Sequence, residues 1–152
     1  MTYQPKGITF EKFEIGQEFV TSRRTVTEAD IVSFAGLSGD FNPLHTDEEF
    51  AKGTPFKSRI AHGVLCLAVA TGLANQLGIF EGTTIALAEM ITRYTGAVKP
   101  GDSIHVKFKI LEKKESKKGD RGTVKVGINV LNQREEKVID GHWVVIISKS
   151  KA

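Results

Sequence analysis

The sequence predicts an α+β fold in which an antiparallel β-sheet packs on one long central helix. The stretch from 60 to 77 is apolar nearly throughout and rich in small residues, which is typical of a helix surrounded by protein. After residue 100, apolar and polar residues alternate with a period of two, which is typical of strands with one buried face. The 152 residues contain no internal repeat, linker or low-complexity run, so a single domain spanning residues 1–152 is expected.

One short strand and one helix are predicted at the start of the chain. A turn at 14–18 leads into a strand at 19–24, and Thr27 then has the character of an N-cap. The helix should stop within residues 36–39, where two glycines supply the backbone freedom that a C-cap needs. The apolar residues that recur at helical spacing in this helix are Ile31, Phe34 and Ala35.

Two further helices are predicted before the sheet proper. Thr46 and Glu49 form a capping-box pattern, which predicts a short helix from Asp47 to Ala51 or Lys52. A loop then reaches the apolar stretch at 60–77, which we interpret as the central helix.

Four consecutive strands are predicted after the central helix. The first ends near Val98, and a turn at 100–102 separates it from the second, which starts at Ser103. A hairpin tip at 117–120 follows the second strand, and a last strand at 137–148 closes the sheet. The residues predicted to face the core in the second and third strands are Ile104, Val106, Phe108, Ile110, Val124, Val126, Ile128 and Val130.

Composition and charge exclude several classes of protein. The formal net charge is +3 and the basic residues are dispersed, so no nucleic-acid partner is expected. A single cysteine, Cys66, excludes an intramolecular disulfide framework, which indicates an intracellular, cytoplasmic protein. Polar residues interrupt the stretch at 60–77, and residues 1–17 lack the apolar core of a signal peptide. Neither a membrane partner nor export is therefore expected.

The densest motif is FAGLSGDFNPLHTD, in which Asp40 and His45 stand five residues apart in a segment predicted to be non-helical. Taken singly, either residue is more simply explained by turn chemistry or by an interior histidine. In combination the pattern is more specific, because Pro43 fixes the chain between them and Asn42 can hydrogen-bond either side chain or the nearby backbone. A carboxylate and a neutral imidazole that converge on one water molecule provide acid–base chemistry.

A second element, Ile60-Ala61-His62-Gly63, lies at the predicted N-terminus of the central helix. The first N–H groups of a helix have no partner within the helix, and they lie at the positive end of its dipole. Gly63 has no side chain, so a carbonyl oxygen can approach its N–H closely and be stabilised as it gains negative charge. Close packing of the helix explains a glycine at this position equally well.

These motifs resemble a known family. FAGLSGDFNPLH followed by IAHG, together with FEIGQEF, VKPGD and NQREEKV, is similar to the MaoC-like (R)-specific enoyl-CoA hydratases over nearly the whole chain. The resemblance implies a hotdog fold, no cofactor, no metal, and reversible hydration of trans-2-enoyl-CoA to (R)-3-hydroxyacyl-CoA. It places the catalytic pair on Asp40 and His45, the supporting asparagine on Asn42 and the oxyanion glycine on Gly63.

Weaker candidates surround this set. Arg59 stands where many members of the family carry proline, and with Lys57 it is a candidate contact for the CoA phosphates or simply a solvated cation. Thr71 and Ala74 are candidates for lining the acyl pocket, although core packing explains them equally well. His62 is adjacent to Gly63 and is a candidate for the substrate site. A metal held by Asp40, His45 and His62 is not expected, because the spacing matches no common pattern.

Two other functions remain open at this point. A hotdog thioesterase would hydrolyse acyl-CoA on the same fold, but its usual carboxylate on a helix is not evident in the sequence. A non-catalytic acyl-CoA-binding subunit would not need to retain both Asp40 and His45, which speaks against that alternative. Because a single hotdog sheet exposes one edge, we expect a homodimer with the pocket near its interface.

Overall fold

The computed structural model describes residues 2–150, and the strands in this range form one antiparallel sheet. The strands are β1 (Glu18–Val20), β2 (Arg24–Thr25), β3 (Thr84–Tyr94), β4 (Ser103–Glu115), β5 (Arg121–Leu131) and β6 (Lys137–Ser148). Their order across the sheet is β1-β4-β5-β6-β3, with β2 also paired to β4. The sheet therefore ends at β3 on one side and at two very short strands on the other.

Four α-helices and one 3₁₀ helix accompany the sheet within the described residues. The α-helices are α1 (Glu28–Ser38), α2 (Pro43–Thr46), α3 (Glu48–Lys52) and α4 (Gly63–Gln76), and the 3₁₀ helix spans Phe10–Lys12. The side chains that α4 buries in the core are Leu65, Cys66, Val69, Ala70, Leu73 and Ala74. The predicted α+β hotdog fold, an antiparallel sheet wrapped around a central helix, is confirmed.

The period-two pattern of the sheet is confirmed residue by residue. All eight side chains predicted to face the core in β4 and β5 are at most 2% exposed. β4 begins at Ser103 and β6 spans Lys137–Ser148, both as predicted, and the hairpin tip at 117–120 lies between β4 and β5. Local alternation was sufficient here because one face of each strand is buried and the other is not.

Two strand predictions were wrong in their limits. The strand predicted at 19–24 is split into β1 and β2, because the Thr21 hydroxyl accepts the Val106 N–H at 2.9 Å and interrupts the ladder. The strand predicted to end near Val98 ends at Tyr94, because the next two N–H groups, of Thr95 and Gly96, both donate to the Val138 carbonyl and turn the chain away.

The short helix after His45 was predicted correctly, but its cap was not. Asp47, not Thr46, is the N-cap of α3, and its carboxylate accepts the Phe50 N–H at 3.1 Å. The Thr46 hydroxyl instead donates to carbonyls of the preceding turn. The local sequence pattern allowed either residue to be the cap. Thr46 is not the cap of α3 because it is the last residue of the preceding helical turn, α2.

The central helix is shorter and less enclosed than predicted. It spans Gly63–Gln76 rather than 60–77, because the Ala61 N–H donates to the Val98 carbonyl at 2.7 Å instead of joining the helix. One stripe of α4 is exposed, with Val64 58% exposed and Ala68 and Gly72 along the same side. No helix in the described range has the length and apolar character that crossing a bilayer requires.

The ends of α1 follow the prediction and orient the motif that comes next. Thr27 and Asp30 form a capping box, with the Thr27 N–H donating to the Asp30 carboxylate at 2.8 Å. At the other end Gly39 adopts a left-handed conformation, φ 77°, and its N–H donates to the Ala35 carbonyl at 2.9 Å. Gly39 therefore ends α1 and directs the chain into Asp40.

Two glycines of α1 provide a matched test of this C-cap. A Cβ has free space at both Gly36 and Gly39, so the backbone conformation is the main difference between the two sites. Gly39→Ala is expected to lower the free energy of unfolding by roughly 1–2 kcal/mol, because an L side chain is strained in the left-handed region. Gly36→Ala is expected to raise it by up to about 1 kcal/mol, because alanine favours a helix interior. Urea unfolding measures both, and effects of the same sign would contradict the assignment of the cap.

Candidate active site

The motif around Asp40 folds as two linked turns. The Asp40 carboxylate accepts the Asn42 N–H at 3.2 Å, and the Asn42 side-chain oxygen accepts the Leu44 N–H at 3.0 Å. Asn42 is thereby the N-cap of α2, and Pro43 occupies the first helical position, which suits its fixed φ. The prediction of a wholly non-helical segment was wrong for Pro43–Thr46, because this cap and proline together nucleate one helical turn.

His45 is held in one orientation by the segment that leads into α4. Its Nδ1 lies 2.7 Å from the backbone carbonyl oxygen of Ile60. A carbonyl oxygen can only accept a hydrogen bond, so Nδ1 is the donor. In the neutral ring the proton is therefore on Nδ1, and Nε2 carries a free lone pair that can accept a proton.

His62 connects the two parts of the site and is 2% exposed. Its Nε2 donates to the backbone carbonyl of Asp40 at 2.9 Å, and its ring lies against that of His45 with centroids 3.8 Å apart. Phe34 contacts the His62 ring at a centroid distance of 5.0 Å. The ring is therefore fixed between α1, α2 and the entry to α4.

Asp40, His45 and His62 form a compact group of potential ligands. Each brings one ligand atom within 4.8 Å of the other two. Nδ1 of His45 and Nε2 of His62 are already bonded to backbone carbonyls, which leaves one nitrogen of each ring and the exposed carboxylate. The expectation that this group binds no metal stays a prediction.

A cavity of about 420 Å³ opens beside this group. The lining that residues 2–150 provide includes His45 and Gly63 but neither Asp40 nor Asn42. Gly63 is the first residue of α4, and its N–H donates to no acceptor among residues 2–150. His45 and Gly63, whose N–H is free at the N-terminus of α4, thus line one cavity, and a polarised carbonyl and an activated water need groups of these two kinds.

Tyr94 is a cavity residue that the sequence did not reveal. Its ring lies so close to Gly63 that a Cβ there would be 2.7 Å from a ring carbon, so Gly63 is required by packing as well as available for binding. Burial raises the pKa of the Tyr94 hydroxyl. Tyr94 reaches the cavity only because β3 is paired with β6 in a particular register, Tyr94 opposite Ile139. No local sequence signal specifies that register.

Thr71 and Ala74 line a different cavity, of about 270 Å³, farther along α4. The other residues that line it are Asn75, Phe80, Thr84, Leu87, Trp143 and Val145. This cavity is mainly apolar, and it lies between α4 and the strands β3 and β6. The role of Thr71 and Ala74 in holding an acyl chain stays a prediction.

Arg59 is bound within the protein. Its two terminal nitrogens bond the Glu28 carboxylate, one of them at 2.9 Å, and its Nε donates to Glu48 at 3.0 Å. A CoA phosphate at Arg59 would have to compete with these two carboxylates. The phosphate contact remains a prediction that this geometry does not favour.

Comparison with known proteins identifies the family. A family model described as a MaoC like domain matches residues 10–132, which include Asp40, His45 and Gly63. The chain belongs to the MaoC-like family. The match extends from before β1 to the end of β5, so it rests on most of the sequence and not on the motif alone.

Named relatives of this MaoC-like protein include an (R)-specific enoyl-CoA hydratase from Rhodospirillum rubrum, 50% identical over 62% of this chain and 64% of that protein. Protein MaoC of Klebsiella aerogenes is 39% identical over 65% of this chain, which spans only 29% of that longer protein. The solved structure of the R-hydratase PhaJ1 from Pseudomonas aeruginosa aligns with a TM-score of 0.78 and 32% identity, covering 95% of this chain and 88% of that one.

The reactivity of the Cys66 thiol reports how well the cavity wall of the MaoC-like protein shields it from solvent. Cys66 lines the cavity, yet burial raises the pKa of its thiol to about 12. Only the thiolate is alkylated, and an unfolded chain has a thiol pKa of about 8.5, so near pH 8 iodoacetamide should react roughly a thousandfold more slowly with the folded protein. Mass spectrometry of timed reactions, with and without guanidinium, measures the ratio. Rapid labelling of the folded chain would contradict a buried, protonated thiol.

Proposed function

We propose that this MaoC-like protein catalyses the reversible hydration of trans-2-enoyl-CoA to (R)-3-hydroxyacyl-CoA. The observation that carries the proposal is the shared cavity, which His45 and Gly63 both line, with Asp40 beside His45. Family membership supports enoyl-CoA hydration in general. No cofactor and no metal takes part in the proposed reaction.

In this mechanism the Gly63 N–H donates to the carbonyl oxygen of the thioester. Hydration gives that oxygen negative charge as the enolate forms, and a fixed donor at the positive end of α4 stabilises the charge. A donor already committed to a carbonyl of the protein would not be available for this role. The ring of Tyr94 packs closely against Gly63 and lines the same cavity, so it limits the space beside the donor.

The water is activated by His45 and Asp40. Nε2 of His45 carries the free lone pair, because the Ile60 carbonyl holds the proton on Nδ1. One O–H bond of the water breaks as its oxygen bonds to C3, and C2 receives a proton, so a single water supplies both added groups. Asp40 contributes an exposed carboxylate next to the imidazole, and Asn42 positions that carboxylate through its own N–H.

The apolar cavity at Thr71 and Ala74 is proposed to receive the acyl chain. It follows the helix away from Gly63, which is the direction that an acyl chain takes from a thioester bound at the N-terminus of α4. The volume of the side chains at these two positions would then limit the length of the acyl chain.

Residues 1–152 are proposed to form a single MaoC-like hotdog domain.

The decisive test compares the wild-type protein with Asp40→Asn and His45→Gln on crotonyl-CoA. Wild type should reduce the absorbance of the enoyl thioester, and each substitution should lower kcat about 10²- to 10⁴-fold, because each removes a group that moves or positions a proton. Stereoselective oxidation of the product determines whether the (R) alcohol forms. Activity should persist after dialysis against EDTA.

Asp47→Asn is the matched control for this test. Asp47 is two residues beyond His45, and asparagine caps a helix as well as aspartate does, so this carboxylate-to-amide change should leave kcat within about twofold.

Two outcomes would contradict the proposed function. Release of free CoA thiol without loss of the enoyl group would indicate a thioesterase and not a hydratase. Activity retained in both site variants would reject the proposed pair.

The protein is also proposed to form a homodimer through β3. This strand pairs only with β6 among the strands described, so its other edge is free. It carries large exposed apolar side chains, including Ile85 at 47%, Ile91 at 41% and Tyr94 at 52% exposure. An exposed apolar edge strand of this length is a site for pairing with a second chain.

Ile91→Asp should convert the dimer into a monomer, because it places a charge in the middle of the apolar edge. Val20→Asp is the control, since Val20 is 56% exposed on β1 at the opposite side of the sheet. Size-exclusion chromatography with light scattering gives the mass of each variant. A wild-type monomer, or a dimer that Ile91→Asp leaves intact, would show that β3 does not form the interface.

A further inference from the structure

Arg59, Glu28 and Glu48 form an ion-pair cluster that connects three separate parts of the chain. Arg59 bonds both oxygens of Glu28 and one oxygen of Glu48, and its backbone N–H lies 3.4 Å from the same Glu48 oxygen. Glu28 is the first residue of α1 and Glu48 is the first residue of α3. The Arg59 side chain is 20% exposed, less than either partner.

Arg59 is adjacent to a residue that contacts the candidate site. It immediately precedes Ile60, whose carbonyl accepts the hydrogen bond from His45 Nδ1 at 2.7 Å. The Ile60 N–H in turn donates to the Leu44 carbonyl at 3.4 Å. The peptide groups on either side of Ile60 therefore contact α2, which carries His45, while Arg59 attaches the same segment to α1 and α3.

The chemistry of the cluster suits a fixed anchor. A guanidinium that bonds a carboxylate through two parallel N–H groups is more directional than a single ion pair, and partial burial reduces screening by water. Two carboxylates on one guanidinium give the cluster a formal charge of −1, which disfavours a further anion such as a phosphate. Hydrogen bonding from Arg59 lowers the pKa of Glu48, so the pair stays ionised well below neutral pH.

We propose that Arg59 is a positioning residue for the reaction, which holds the Ile60 carbonyl against His45 Nδ1 and so keeps the Nε2 lone pair available. The proposal rests on the proposed function of His45. Without Arg59 the Ile60 carbonyl is free to move, and the imidazole loses the acceptor that selects its tautomer. A ring with the proton on Nε2 has no lone pair at the nitrogen that would accept the proton of water.

The kinetic consequence is specific. Arg59→Met should lower kcat by about tenfold to a hundredfold, which is the scale of loss for a catalytic group that is displaced by about 1 Å. KM should change by less than about twofold, because Arg59 does not contact the substrate in this proposal. A CoA-phosphate contact would show the opposite split, with KM raised and kcat retained.

A spectroscopic measurement tests the effect of Arg59 on the His45 tautomer without an enzyme assay. Long-range ¹H–¹⁵N correlation of the imidazoles, near pH 8, distinguishes the two neutral tautomers, and the His45→Gln variant assigns the His45 signals. Wild type should show His45 with the proton on Nδ1, and Arg59→Met should show a mixture of tautomers. Arg121→Met is the control, because Arg121 is paired with Asp120 on the distant β4–β5 hairpin.

Glu28→Gln and Glu48→Gln give the test a second route if Arg59→Met does not fold. Each removes one of the two charges that hold the guanidinium, so each should lower kcat and mix the His45 tautomers less than Arg59→Met does. Arg59→Lys keeps the positive charge and should therefore retain part of the kcat that Arg59→Met loses. An unchanged His45 tautomer in a folded Arg59 or glutamate variant would overturn the proposal, even if the melting temperature falls. Absence of hydratase activity in wild type would reject the proposed function alone, since the tautomer measurement does not depend on it.

Discussion

The packing of α4 against the sheet determines where every part of the candidate site lies. The large side chains of its buried face are Leu65, Val69 and Leu73, and each stabilises the fold by roughly 1.5–3 kcal/mol when fully removed from water. With the helix fixed by that burial, its first residue, Gly63, has a fixed position as well. The Ala61 N–H, bonded to the Val98 carbonyl at 2.7 Å, fixes the segment just before the helix to the chain between β3 and β4. The N–H of Gly63 is therefore a rigid donor and not part of a loop.

The elements that could be predicted are those with a simple apolar pattern. The core face of β4 and β5 was recognised because one side of each strand is buried along its whole length, whereas α4 was recognised from its nearly continuous run of apolar and small residues. The errors fall where several local hydrogen bonds compete. Thr46 and Asp47 are both good caps, and only the preceding turn α2 decides between them. The break between β1 and β2 depends on a bond from Val106, which is 85 residues from Thr21 in the chain.

The same distinction applies to the site. Asp40, Asn42 and His45 lie within six residues, so a local motif was enough to propose them together, and the structure does place them in adjoining turns. The contacts of His45 with Ile60 and of His62 with Asp40 join segments 15 and 22 residues apart. Glu28 lies 31 residues from Arg59, and Tyr94 is equally far along the chain from Gly63. Sequence patterns carry no information on such pairs, because sheet register and helix packing determine them.

Both cavities along α4 share one wall, and that wall is β3. Tyr94, at the end of the strand, lines the cavity that contains His45 and Gly63, whereas Leu87 lines the apolar cavity that contains Thr71. The outer edge of β3 is free among the described strands. A second copy of the chain that paired along this edge would adjoin both cavities at once and restrict the access of water to them. Dimer formation and the exclusion of water from the proposed reaction would then depend on the same strand, so a change at the edge should alter catalysis even where it contacts neither His45 nor Gly63.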